Sequence, residues 1–221
     1  MSRDVSLLTF DCYGTLVDWD RGVIGAFGRH VCPDAYVGRL AEIAEHWEAV
    51  QRGLIQGPYR PYREILRDSV AATVKELDLA PPDDPGFLGD ELGTFEPFAD
   101  TTESLGRLAE IAPLWILSNI DNDILAATLE RLRAPIARTI TAQDLRSYKP
   151  ARRHFEEAIA RSGVPAHRIL HVAFGFWYDI EPAKRLGFRT AWVNRAGDAR
   201  PEGAVPDIEV PDLRSLVAAL A

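Results

Sequence analysis

The sequence predicts an α/β protein, with a Rossmann-like parallel-sheet core and a helical cap domain inserted after the first strand. Three observations carry this. From Phe95 onward, short apolar runs alternate with amphipathic helical stretches, the pattern of a parallel sheet covered by helices on both faces. A lone apolar run, VSLLTF, precedes them at the amino terminus and ends in an acid, Asp11. Between about residue 18 and residue 95 the spacing is helical and no strand is evident.

The helical stretch contains GRLAEIAEHWEAVQRGLIQ and YREILRDSVAATVKELDL, with apolar residues three and four apart, and it ends in the turn-rich APPDDPG. The alternating part opens with a helix over TTESLGRLAEIA. It continues with a strand at LWILS, a helix over NDILAATLERL and a short strand at RTITA. A helix opening at Pro150, a strand at RILHVAF, a helix over DIEPAKRLG, strands at RTAWVNR and DIEV, and a terminal helix complete it. Pro150 suits a first helical position, and Gly163 and Gly187 suit helix ends. The expected division is a core of residues 1–17 and 96–221 and a cap of residues 18–95. If the first strand and LWILS are neighbours, the junctions near Asp18 and Pro97 meet in space, and the cap can open and close over the strand ends.

At 221 residues and 47% hydrophobic content, a sizeable buried core is expected. A net charge of -8 argues against nucleic acid or an anionic membrane as partner, because both demand concentrated Lys and Arg. A small anionic substrate stays open, since a few local cations outweigh global charge. The apolar stretch before Asp11 is too short for a signal peptide or a membrane span, so a cytoplasmic location is expected. Cys12 and Cys32 form no disulfide framework and read as free thiols, with Cys12 a small apolar residue at a strand end.

Four elements stand at or just beyond strand ends: Asp11 with Thr15 in DCYGTL, Ser118 with Asn119 in LSNIDND, Lys149 in SYKPARRHF, and Asp179 in HVAFGFWYDIEPAKRLGF. Structural readings stand beside functional ones. Thr15 fits a turn closure and Ser118 a helix cap equally well, and Asn119 or Asp121 also suits the cap. Lys149 alone reads as a solvated loop charge, and Asp179 as an N-cap. Asp11 is harder to explain structurally, because a carboxylate ending an apolar strand must be hydrated, paired or functional.

Together, DxxGTL, LSN, YKP and a final Asp in this order resemble the haloacid dehalogenase superfamily over the whole chain. The resemblance implies that Asp11 is a nucleophile that forms a covalent ester, which water then cleaves. It implies that Lys149 keeps Asp11 ionised, that Thr15 and Ser118 bond the nucleophile or a substrate carboxylate, and that Asp179 positions Lys149 or polarises the hydrolytic water. Superfamily phosphatases usually carry a second Asp two residues after the nucleophile, as general acid for an alkoxide. Here that position is Tyr13, as in members that displace halide from 2-haloacids. Magnesium-binding members also carry a Gly-Asp before the final Asp, where this chain has Ala173 and Phe174. Asp11 and Asp179 alone make a poor magnesium site, so no metal or other cofactor is expected.

The dehalogenase pattern places Ser-Ser-Asn before an aromatic and the Asp. Here the run is one residue longer and aromatic: Phe174, Gly175, Phe176, Trp177, Tyr178. These side chains, Phe174 and Trp177 among them, either line an apolar pocket or pack against the cap. A cap arginine is expected to receive the halide, with Arg39 and Arg52 as candidates, and Asn119 matches the family's halide- or carboxylate-binding Asn. The expected activity is a 2-haloacid dehalogenase acting on short 2-haloalkanoic acids, with a small anionic substrate as partner; enzymes of this type are commonly homodimers. Its rivals are a magnesium-dependent phosphatase and a catalytically silent binding module of the same fold.

Overall fold

The computed structural model describes residues 4–31 and 37–221, so Cys32 lies outside the described residues. Strand β1 (Leu7–Phe10) is buried at every position and occupies the middle of the sheet. It pairs in parallel with β2 (Leu114–Ser118) on one side and β4 (Ile169–Ala173) on the other. Strand β3 (Ile136–Thr141) lies outside β2, and β5 (Arg189–Val193) and β6 (Ile208–Val210) lie outside β4, giving the order β3-β2-β1-β4-β5-β6. The apolar runs of β1, β2 and β4 are continuous because both faces of these central strands are covered. Their carboxyl ends converge where the strand order reverses, the place at which open α/β sheets bind ligands.

Between β1 and β2 the chain forms α1 (Trp19–His30), α2 (Leu40–Ile55), α3 (Tyr62–Glu76) and the short α4 (Phe87–Glu91). Asp18 opens α1, its carboxylate accepting from the Arg21 N–H. Trp47 is fully buried and fastens α2 to α3 by donating to Ser69 Oγ at 2.8 Å. The two ends of this helical insert meet: Val17 bridges to Pro97, and the Asp18 N–H bonds Glu96 O at 2.9 Å.

The remaining helices are α5 (Thr101–Ala109), α6 (Asn122–Leu132), α7 (Ala142–Leu145), α8 (Arg153–Ser162), α9 (Glu181–Arg185) and α10 (Leu213–Leu220). Two depart from expectation. Helix α8 begins at Arg153 rather than Pro150, because Asn119 holds both the N–H and the carbonyl of Lys149 and Ala151 N closes a turn on Tyr148 O. The helix expected over DIEPAKRLG is preceded by one π-helical turn, Phe176–Ile180, in which Ile180 N bonds Gly175 O. That wider turn takes up an extra residue, as π-bulges at functional sites do. Asp121 sits at the N-cap position of α6, yet its carboxylate accepts from Tyr62 N and Arg63 N, capping α3 across the chain.

Candidate active site

Asp11 follows β1 directly, its N–H still bonded to Val172 O in strand fashion. The turn after it folds back on Cys12 O, which accepts from Leu16 N at 2.7 Å. Gly14 makes this possible twice over: its φ is +85°, and a Cβ there would lie 2.5 Å from the Phe174 ring. The turn aims Thr15 back at the acid. Thr15 Oγ1 donates to Asp11 Oδ2 at 2.9 Å and accepts from the Phe174 N–H at 2.9 Å.

Lys149, only 1% exposed, uses all three ammonium protons. They go to Asp11 Oδ1 at 2.9 Å, Asp179 Oδ1 at 2.6 Å and Leu117 O at 2.9 Å. Burial alone would lower the Lys149 ammonium, but the two carboxylates hold it above its ordinary value. Burial likewise pushes the Asp11 carboxyl up, against the pull of Lys149. Asp179 goes the other way, because Lys149 and the His171 N–H outweigh its burial. His171 Nε2 lies 3.0 Å from Asp179 Oδ1, and its Nδ1 lies 2.9 Å from Thr9 Oγ1. Asp179 Oδ2 is buried and has no partner among the described residues. A Cβ on Gly175 would lie 2.7 Å from it.

Above Asp11 is a cavity of about 80 Å³. Ser118, Asn119 and Phe174 from the sheet side border it, and Trp19, Glu48, Gln51, Arg52 and Tyr62 from the insert form its roof. Tyr13 contributes its ring, while its hydroxyl donates to Thr128 Oγ1 at 2.6 Å, since the Thr128 proton goes to Ile124 O. The Ser118 side chain borders the cavity with no bonded partner among the described residues, whereas both Asn119 amide atoms bind the Lys149 backbone. Asn119 therefore positions Lys149 as well as lining the cavity.

Two expectations, Arg39 and a cavity-lining Trp177, meet a different geometry. Arg39 is exposed at the foot of α2, pairs with Glu42 and does not border the cavity; Arg52, three turns further along, does. Trp177 is 44% exposed and turns outward beside Ile55, Tyr59 and Tyr148, because the π turn rotates Tyr178 into the cavity in its place. Phe174 divides its ring between the cavity rim and the surface of Gly14. Glu48, Gln51, Tyr62 and His171 are not among the residues that the sequence singles out, whereas Tyr178 belongs to the aromatic run expected to line a pocket or pack on the cap. The signal for the first two is that residues 48, 51, 52 and 55 share one helix face.

The donor set does not suit magnesium. Asp11 and Asp179 each give an oxygen to Lys149, a phenyl ring stands at position 174, and no cluster of three potential metal-ligating side chains occurs among the described residues. No helix among the described residues is long and apolar enough to cross a membrane. Cys12 is buried and free, its thiol pushed well up by burial and by Asp11.

A family model described as haloacid dehalogenase-like hydrolase matches residues 5–187. An (S)-2-haloacid dehalogenase from Pseudomonas sp. strain YL is 31% identical, the match covering 95% of this chain and 92% of that protein. One from Pseudomonas putida is 29% identical over 90% of this chain and 89% of its own. The solved L-2-haloacid dehalogenase of Xanthobacter autotrophicus with chloropropionic acid covalently bound superimposes with a TM-score of 0.82 at 26% identity, covering 98% of each chain. With Asp11, Lys149 and Asp179 joined at the carboxyl ends of a parallel sheet, and with a family match running from residue 5 to residue 187, this chain belongs to the haloacid dehalogenase-like hydrolases.

Proposed function

We propose that the chain is a 2-haloacid dehalogenase that hydrolyses short 2-haloalkanoic acids through an ester of Asp11, with residues 18–95 as the cap over the site and without a metal. The observation that carries this reading is the Asp11 carboxylate, held by Lys149 and Thr15 under a small aromatic-walled cavity, with Tyr13 rather than an acid two residues on.

In the first step an Asp11 oxygen forms a bond to the halogen-bearing carbon, and the halide leaves with the bonding pair toward the cap. Lys149 and Thr15 fix the carboxylate in the ionised, aligned state that attack requires. Ser118 borders the cavity and in this reading its hydroxyl donates to the substrate carboxylate, with Arg52 as a roof cation. In the second step water attacks the carbonyl carbon of the ester, and the acyl-oxygen bond breaks. Asp179 Oδ2, buried and without a partner among the described residues, is the proposed acceptor for the water's proton, and Gly175 keeps the approach to it clear. The products are halide and the 2-hydroxyacid.

The decisive assay measures halide release from 2-chloropropionate and bromoacetate beside phosphate release from p-nitrophenyl phosphate, each with magnesium and with EDTA. Halide release insensitive to EDTA and absent in Asp11→Asn is expected. Magnesium-dependent phosphate release without halide would replace the proposal with the phosphatase reading, and silence on both substrates would point to a binding module.

A further inference from the structure

The cavity holds one acid for which the two steps above have no use. Glu48 lies on α2 one turn before Arg52 and borders the cavity from the same helix face. Its carboxylate accepts from Trp19 Nε1 and stands 3.7 Å from Arg52. The charged groups at the site are Asp11, Asp179 and Glu48 against Lys149 and Arg52, so the site already has an excess of carboxylates. A 2-haloacid adds its own carboxylate and then a departing halide. In a cavity walled by Tyr13, Trp19, Tyr62, Phe174 and Tyr178, such an excess favours uptake of a proton. Asp11 must remain ionised to attack, Asp179 is held ionised by Lys149 and His171 until it takes the water's proton in the second step, and the phenols already carry protons. Glu48 is the acceptor that remains among the residues lining the cavity.

We propose, resting on the dehalogenase reading, that Glu48 carries this proton as a cap-borne general acid and delivers it to the departing halogen, so that the enzyme cleaves the carbon–fluorine bond of 2-fluoroacids as well as weaker carbon–halogen bonds. An Asp11 oxygen forms the new bond to carbon, fluorine leaves with the carbon–fluorine pair, and the Glu48 proton passes to it. Water's cleavage of the ester then releases the proton that restores Glu48, and the balance is fluoroacid plus water to hydroxyacid plus hydrogen fluoride. Fluoride is the most basic halide and gains most from a proton in the transition state, while bromide gains little. The local environment agrees. Burial raises the Glu48 carboxyl, helped by Asp20 on α1 and Glu45 on its own helix and opposed by the Trp19 hydrogen bond and Arg52. Tyr62 on α3 and Tyr178 on the π turn face it as neutral phenols, pushed up by their own burial.

The test is fluoride release from fluoroacetate beside bromide release from bromoacetate, by wild type and Glu48→Gln, from about pH 5 to about pH 9, a range in which both substrates stay ionised. In wild type the ratio of fluoride to bromide release should fall as pH rises and Glu48 loses its proton. In Glu48→Gln the ratio should drop about 100-fold and lose its pH dependence. Bromide release without fluoride release by wild type, or the same ratio in both proteins, overturns the role of Glu48 while leaving the dehalogenase reading in place. Absence of bromide release removes both. Should the variant fail to fold, the pH dependence of the wild-type ratio decides alone, and a flat ratio counts against the proposal.

Discussion

Lys149 and Asp11 are 138 residues apart in the chain and 2.9 Å apart in the fold, both buried. Asp11 directly follows β1 and Lys149 lies in the loop between α7 and α8, so the tertiary fold, rather than any local motif, creates the ion pair.

Replacing Lys149 by Met should show what this pair does. Two buried carboxylates would lose their common counter-charge, which costs about 3–5 kcal/mol when one partner of a buried pair is removed. The sign follows from Asp11 and Asp179. Without Lys149 both are raised above their unfolded values, so the variant's deficit is largest at neutral pH and shrinks as acid protonates them. Urea unfolding of both proteins near neutral pH and in mild acid checks this; a deficit that does not narrow in acid would contradict it. Residual halide release should be at least about 100-fold lower. Activity needs ionised Asp11, whose carboxyl burial already raises in wild type against the pull of Lys149, so the acid limb of the variant should lie at higher pH than that of wild type.

Thr15 serves two masters, bonding Asp11 Oδ2 and receiving the Phe174 N–H. Thr15→Val keeps the shape and removes both, leaving an unpaired backbone donor at a cost of about 1–3 kcal/mol. The turnover number should fall more than KM rises, because alignment of the nucleophile is lost. Thr15→Ser, which restores the hydroxyl, should recover most of it; failure to do so would mean the methyl group matters more than the bonds.

Gly175 is needed for space, not for backbone freedom. Its φ of -66° and ψ of 106° suit any residue, yet a Cβ would lie 2.5 Å from Tyr178 Cε2 and 2.7 Å from Asp179 Oδ2. Gly175→Ala should therefore displace both side chains, costing about 1–3 kcal/mol and lowering turnover. Gly106 in α5 offers the contrast, since nothing lies within 4 Å of its Cβ position. Gly106→Ala should stabilise by about 0.5–1 kcal/mol without touching activity. Thermal melts and halide release on the two variants separate the effects.

How much of this was legible depended on where each residue's signal resides. The parallel core, the helical insert and the set Asp11, Thr15, Ser118, Lys149 and Asp179 could be read because Asp11 and Ser118 close apolar strand runs, where a polar side chain stands out, and the order of the four short motifs marks the rest. Most of the roof could not. Arg52 was one of two candidate cap arginines, but Glu48 and Gln51 look like ordinary solvated positions of an amphipathic helix until the face of α2 that meets the core is known. Arg39 had the right chemistry, but it sits on the turn leading into α2, away from that face. The extra residue before Asp179 was visible in the spacing, but the π turn that absorbs it, and so exchanges Trp177 for Tyr178 at the cavity, is set by long-range bonds such as Trp192 Nε1 to Phe174 O. His171 hides in a buried strand, where an imidazole resembles any core residue until Thr9 and Asp179 are seen on either side of it.

His154 gives the last prediction. It is fully buried on α8, its Nε2 lies 3.3 Å from Ser118 O, and its Nδ1 has no partner among the described residues. The Ser118 carbonyl can only accept, so Nε2 carries the proton and the ring is neutral. Burial and the nearby Lys149 charge lower its pKa to about 3, far below its unfolded value. A group whose folded pKa is depressed contributes its full stability above the unfolded pKa and loses it as pH falls. His154 should therefore withdraw stability progressively from about pH 6.5 downward, at up to about 1.4 kcal/mol per pH unit. His154→Gln removes the titration, so unfolding free energies of the two proteins should run parallel at neutral pH and diverge in acid, the wild type falling faster. Curves that stay parallel to about pH 4 would mean that the imidazole accepts a proton in place, and that the Ser118 carbonyl and the space around Nδ1 tolerate an imidazolium beside Lys149.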